Sequence, residues 1–150
     1  MDRLLIAAAL AVVAALVALW LQRRRPRAPV ATVATRVPPY LDRDEFDRPE
    51  APWLVAAFTS ATCDSCASVW ARAQILDSPD VVVQQVEVGE RRDLHQRYRI
   101  DSVPLVVVAD DAGAVRAHFL GPLRATDLWG TLAELRQPGT LPPDCSAGHG

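Results

Sequence analysis

The feature that most constrains this chain is a pair of cysteines, Cys63 and Cys66, three positions apart at the end of a short apolar run. That run, residues 52–61, shows little alternation, which is typical of a central strand covered on both faces. Residues 64–77 follow with apolar side chains at helical spacing. The cysteines therefore lie at a strand-to-helix junction. A redox pair, half of a metal site and two small buried residues all remain open interpretations.

The chain after residue 40 continues to alternate between strand and helix patterns. A capping-box spacing predicts a short helical turn over 42–47. Further strands are predicted at 81–88, 104–110 and 114–120, and further helices at 90–99 and 124–136. Both histidines in these elements, His95 and His118, are expected to face solvent. The order predicts an α/β domain with a central mixed sheet and helices on both faces.

This arrangement resembles the thioredoxin superfamily over about residues 53–136. Four features match the family in chain order: the motif Cys63-Asp64-Ser65-Cys66 opening a helix, Val103-Pro104 some forty residues later, a hairpin turn at Asp110 to Gly113, and Gly121 after the last strand. A CxxC motif alone is a weak signal, but at this junction, with the Val-Pro pair and the hairpin, it is strong. The resemblance implies a thioredoxin-like fold for this domain, and the N-terminal segment separately predicts one transmembrane helix before it.

The resemblance also implies thiol–disulfide exchange with a partner protein. This reaction needs no organic cofactor. Cys63 would be the exposed nucleophile, because a helix N-terminus favours a thiolate, and Cys66 would be the more buried resolving thiol. The family has a cis peptide bond before the proline of the Val-Pro pair. The residues expected to line the groove for the partner chain are Thr62, Val103, Pro104 and Gly121.

Several positions depart from the family pattern. Thr62 replaces the tryptophan before the first cysteine, and Asp64-Ser65 replaces Gly-Pro between the pair. Ala57 stands where the family has a buried acid, and Ala67 where a basic residue is common. The charge of Asp64 should oppose deprotonation of Cys63. These changes predict a more reducing couple, suited to a dedicated partner or to sensing rather than to general disulfide reduction.

The tail, residues 137–150, offers a competing hypothesis. Its proline- and glycine-rich composition predicts disorder, yet it contains Cys145 and His149. If the tail folded back, a tetrahedral zinc or copper site would have four ligands: Cys63, Cys66, Cys145 and His149. Closing that loop costs entropy. The alternatives are that Cys145 exchanges with the cysteine pair or has no role, and that the domain is a non-catalytic binding module.

The N-terminal segment predicts a membrane anchor. Residues 4–21 contain no charged or polar side chain, and eighteen residues at 1.5 Å each give roughly 27 Å, near the hydrocarbon thickness of a bilayer. A cleavable signal peptide is the rival interpretation, but an arginine-rich stretch follows instead of a cleavage site. Residues 22–39 then form a flexible linker before a domain at 40–136. Ala7, Ala11 and Ala15 allow close helix approach, so weak self-association of the anchor is a further hypothesis.

The distribution of charge suggests a topology and excludes one class of partner. Four arginines lie just after the anchor and one before it, so the positive-inside rule favours a cytoplasmic domain on a single-pass protein, with an extracytoplasmic domain as the alternative. All sixteen basic residues are arginines; ten of them and seventeen acids lie beyond residue 36, a balance of −7. That charge argues against nucleic acid as a partner.

Overall fold

The computed structural model describes residues 36–139. A 3-10 helix, Arg43–Glu45, precedes strand β1, Trp53–Thr59, and helix α1, Cys66–Ala73, which a 3-10 turn extends over Gln74–Leu76. The remaining elements are β2 (Val81–Glu87), α2 (Arg92–Arg97), β3 (Leu105–Asp110), β4 (Val115–Leu120) and α3 (Ala125–Arg136). The predicted alternation of strands and helices is therefore confirmed. The predicted anchor at residues 4–21 and the tail residues Cys145 and His149 lie outside the described residues.

The four strands form one mixed sheet in the order β2-β1-β3-β4. β1 and β2 are parallel, from Trp53 opposite Val81 to Thr59 opposite Glu87, and α1 is the crossover that a parallel pair requires. β3 runs antiparallel to both β1 and β4. The loops that follow β1, β2 and β4, and the loop that precedes β3, consequently meet at one edge of the sheet.

β1 is buried on both faces, as its apolar run predicts. Alternate side chains point to opposite sides of a strand, so two separate cores form. On one side, Leu54, Ala56 and Phe58 pack with residues from the N-terminal segment and α2, including Leu41, Phe46 and Leu94. On the other side, Val55 and Ala57 pack with residues from α1 and α3, including Val69, Leu128 and Leu132. The sheet therefore has α2 on one face and α1 and α3 on the other, which confirms the prediction of helices on both faces.

The segment before β1 is fastened to the sheet by a buried cation. Arg43 is 5% exposed, and its guanidinium donates to the carbonyl oxygens of Asp110 (2.8 Å) and Ala51 (3.0 Å). Val37 packs against the first core, and the carbonyl oxygen of Pro39 accepts a hydrogen bond from Val115. The segment from Val37 to Ala51 is therefore part of the packed domain.

The prediction for His95 is wrong. The side chain is 5% exposed, its Nε2 lies 2.8 Å from the Val86 carbonyl oxygen, and its ring meets the edge of Phe58 with centroids 5.3 Å apart. α2 is six residues long and packs Leu94 and His95 inward side by side. His118 is exposed on β4, as expected.

Within residues 36–139, no helix combines the length and the apolar character needed to cross a bilayer.

Candidate functional site

The cysteine pair lies just beyond the end of β1. Cys63 and Cys66 are joined by a disulfide, with Cα atoms 5.4 Å apart, and Cys66 is the first residue of α1. Cys66 is 3% exposed, whereas Cys63 is half-buried. Cys63 is therefore the cysteine that a second molecule can approach, and Cys66 is shielded behind it.

Two successive turns carry the chain from the strand into the helix. The N–H of Cys63 donates to the Ser60 carbonyl oxygen (3.1 Å), and the N–H of Cys66 donates to the Cys63 carbonyl oxygen (3.2 Å). The helix then begins, with Val69 bonded to Ser65 (3.1 Å). This path places both sulfurs at the N-terminal end of α1, where unpaired backbone N–H groups and the helix dipole favour a thiolate.

One hydroxyl group lies beside the sulfur of Cys63, and a second belongs to the preceding residue, Thr62. The Oγ of Ser65 lies 3.8 Å from the Cys63 sulfur, close enough for a hydrogen bond to sulfur. The hydroxyl of Thr62 is 3.0 Å from that of Ser60, and Thr62 is exposed. Asp64 is also exposed, so water screens the charge that it places beside Cys63. That the charge of Asp64 opposes deprotonation of the Cys63 thiol stays a prediction.

The other predicted site residues meet at the same edge of the sheet. The Val103–Pro104 peptide bond is cis, as the resemblance implies. Phe58 pairs with Leu105, which brings Pro104 to the level where β1 ends, and Gly121 donates to the Pro104 carbonyl oxygen at 2.8 Å. A Cβ at Gly121 would have no heavy atom within 4 Å, so open space lies beside it. The assignment of these residues to a partner groove stays a prediction.

Glu87 belongs to this site and was missed by the sequence analysis. One carboxylate oxygen accepts the N–H of Ala61 (2.9 Å), and the other accepts those of Gly89 (2.5 Å) and Glu90 (3.2 Å). These bonds, above all the one from Ala61, outweigh partial burial and lower the pKa of Glu87. The available sequence signal was an acid near the end of the predicted strand at 81–88, the first strand after the cysteine motif.

No acid lies at the position where the family has one. Ala57 is fully buried in β1. Two residues closer to the cysteines, the buried Thr59 accepts a hydrogen bond on Oγ1 from the Gln85 side chain at 3.0 Å. Neither a hydroxyl nor an amide is a strong base, so this pair does not replace a carboxylate as a proton acceptor.

The metal hypothesis finds no further ligands in the described part of the chain. Among residues 36–139, no group of three or more His, Cys, Asp or Glu side chains is arranged to hold an ion. Cys145 and His149, the other two proposed ligands, lie outside the described residues.

Comparison with known proteins supports the fold. No family model matches the sequence, and no curated protein is significantly similar to it. Among solved structures, a mutant thioredoxin from Halobacterium salinarum is 22% identical, with a TM-score of 0.50, over 63% of this chain and 81% of its own. The germline-specific thioredoxin Deadhead from Drosophila melanogaster is also 22% identical, with a TM-score of 0.52, over 61% and 89%. The chain therefore has a thioredoxin fold, as the resemblance implied.

Proposed function

We propose that the chain is a thiol–disulfide oxidoreductase that exchanges a Cys63–Cys66 dithiol or disulfide with a partner protein. The observation that supports this most directly is the disulfide between a half-buried and a buried cysteine at the strand-to-helix junction of a thioredoxin fold. A purely structural disulfide gains nothing from leaving one sulfur accessible at a helix N-terminus.

The exchange proceeds in two steps, each of which breaks one disulfide bond and forms another. In the reducing direction, the Cys63 thiolate attacks one sulfur of a partner disulfide, and the other partner sulfur leaves as a thiolate and takes a proton. The Cys66 thiolate then attacks the Cys63 sulfur, which forms the internal disulfide and releases the second partner thiolate. Two electrons pass from the dithiol to the partner. Because Ala57 provides no carboxylate, the proton of Cys66 passes to water.

The partner chain is proposed to lie along Val103, Pro104 and Gly121, with Thr62 on the near side of Cys63. The open space beside Gly121 and the exposure of Thr62 support this assignment. A backbone segment that passes there would bring its own sulfur to Cys63 rather than to the shielded Cys66. Fixing the two sulfurs in this way is the main source of rate that the protein offers.

The same proposal includes a membrane tether. Residues 4–21 would span the bilayer once, and the arginines after them would keep residues 22–150 in the cytoplasm. The partner would then be a protein at or near the inner membrane surface. The opposite orientation is the competing outcome, and labelling of the tail cysteine distinguishes the two.

The test is a redox titration of the purified full chain in graded glutathione buffers, with each cysteine read by alkylation and mass spectrometry. We expect Cys63 and Cys66 to titrate together as one two-electron couple while Cys145 titrates independently. Zinc is added in a parallel series. Protection of all three thiols by zinc, without a two-electron couple, would replace the exchange function by a metal site that includes the tail.

A further inference from the structure

We propose that Glu87 is a positioning residue for this exchange, which acts on Cys63 through the backbone N–H of Ala61. The inference rests on the proposed function and names a residue outside the cysteine motif that sets how readily the internal disulfide forms. Glu87 lies on a different strand from the cysteine loop, twenty-six positions from Ala61.

The hydrogen bond from Ala61 to Glu87 lies just beyond the last backbone pairing between β1 and β2. The parallel pairing of β1 and β2 ends with Thr59 opposite Glu87, and the Thr59 carbonyl oxygen accepts the N–H of Val88 at 3.0 Å. Two residues beyond Thr59, the N–H of Ala61 donates to the Glu87 side chain. The Glu87 carboxylate thus links the end of β2 to the loop that follows β1, beyond the last paired residues of the two strands.

The tethered residue is the second residue of the turn that ends at Cys63. That turn is closed by the bond from the Cys63 N–H to Ser60. Fixing Ala61 therefore fixes the direction in which the chain enters Cys63. The hydrogen bond is present in the disulfide form, in which Cys63 must face Cys66 across 5.4 Å between Cα atoms. Losing it should lower the effective concentration of one thiol toward the other.

Glu87 is not placed to act as a base for Cys66. Its two oxygens accept three backbone N–H bonds, which stabilise the charged form and lower the pKa of this carboxyl. It therefore stays ionised throughout the range in which thiols titrate and does not take up their protons. Its role is instead that of a hydrogen-bond acceptor, which joins the turn after β2 to the turn before Cys63.

Two substitutions cut this hydrogen bond from opposite sides and keep the charge. Glu87→Asp shortens the side chain by about 1.5 Å. An aspartate at the start of a turn still accepts the N–H two residues ahead, so the contact with Gly89 is retained while Ala61 is out of reach. Ala61→Pro removes the donor at the second position of a turn, where proline is favoured. Glu90→Ala is the matched control, because Glu90 lies exposed in the same turn as Gly89.

The measurement is the equilibrium constant for disulfide formation against glutathione, on the full chain with Cys145→Ser in every variant. E87D and A61P should each lower the constant about threefold to tenfold, the worth of one net hydrogen bond. The double variant should fall no further, because both changes remove the same bond. E90A should match the parent chain. Thermal unfolding of each variant, monitored by circular dichroism, verifies that the fold is retained.

The ways in which the proposal can fail are distinguishable. An unchanged constant in E87D and A61P would overturn the role of Glu87 and leave the exchange function standing. Additive losses in the double variant would show that Glu87 does not act through Ala61, and so would also overturn the proposal. A parent chain with no two-electron couple would refute the exchange function itself. Amide hydrogen exchange at Ala61 reports on the bond independently of redox activity, and it should be faster in E87D than in the parent.

Discussion

The backbone N–H of Gly121 donates a hydrogen bond of 2.8 Å to the carbonyl oxygen of Pro104. This bond extends the β3–β4 ladder one step beyond the pairing of Leu105 with Leu120. Two residues that the family resemblance assigned separately to a partner groove are therefore joined directly. The side of Gly121 that would bear a side chain faces open space, so a substitution there tests the groove with little disturbance of the core.

Alanine substitution should affect Gly121 and Gly113 very differently. Both have positive φ, +82° and +83°, so both incur the left-handed penalty of roughly 1–2 kcal/mol. A Cβ at Gly113 would also lie 2.1 Å from the Leu41 carbonyl oxygen, next to the 2.8 Å hydrogen bond from Leu41 to Gly113. We expect Gly113→Ala to lower the free energy of unfolding by roughly 3 kcal/mol or more in urea titrations. Equal losses at both positions would contradict the close packing of the hairpin turn against Leu41.

The Asp110–Arg116 pair should make stability depend on acid pH. Burial alone would raise the pKa of Asp110, but the Arg116 guanidinium and the Ala114 N–H outweigh it and lower that pKa. A carboxyl with a lower pKa in the folded state contributes fully above its unfolded pKa, about 3.9, and loses the contribution as pH falls through the folded pKa. Between pH 6 and pH 3, wild type should therefore lose more stability than Asp110→Asn. Parallel curves for the two proteins would show that Asp110 is not the group responsible.

Single cysteine variants should separate the roles of the two sulfurs. In a Cys145→Ser background, reduced Cys66→Ser should form a stable mixed disulfide with oxidised glutathione at Cys63, since no resolving thiol remains. Cys63→Ser should react at least about tenfold more slowly, because its remaining sulfur is on a residue only 3% exposed. Mass spectrometry of the adducts measures both rates. Faster reaction at Cys66 would reverse the proposed roles.

The tether has its own test, which does not depend on redox activity. The full chain should sediment with membranes and resist extraction at high pH, whereas a chain lacking residues 1–22 should not. In a Cys63→Ser, Cys66→Ser double variant, a membrane-impermeant maleimide should label Cys145 after the cells are permeabilised. Labelling in intact cells would instead place the domain outside the cytoplasm.

The fold was predictable because its signals are local. β1 is a continuous apolar run, the CxxC motif marks the start of α1, and the Val103-Pro104 pair marks the start of β3. Each of these patterns reflects neighbours along the chain. The order of strands and helices then restricts the topology to a few arrangements, of which the observed mixed sheet is one.

Glu87 and His95 were not predictable in the same way. The bond from Ala61 to Glu87 depends on the register between β1 and β2, which no pattern within β2 specifies. His95 lies in a polar six-residue helix whose composition suggests a solvated surface, yet the Val86 carbonyl and the Phe58 ring give it a buried position. Both side chains are placed by tertiary contacts, and both contacts join elements separated by a turn or a crossover.

The position of the disulfide also determines what its reduction leaves intact. The bond closes a loop of only four residues, beyond the last paired residue of β1, and both cores are built from side chains on other parts of the sheet and helices. The chain-entropy effect of so short a loop is about 2 kcal/mol, less than the roughly 3 kcal/mol expected for fifteen residues. We therefore expect the domain to stay folded when the bond opens, so that in the proposed exchange one molecule would complete many turnovers without passing through an unfolded state.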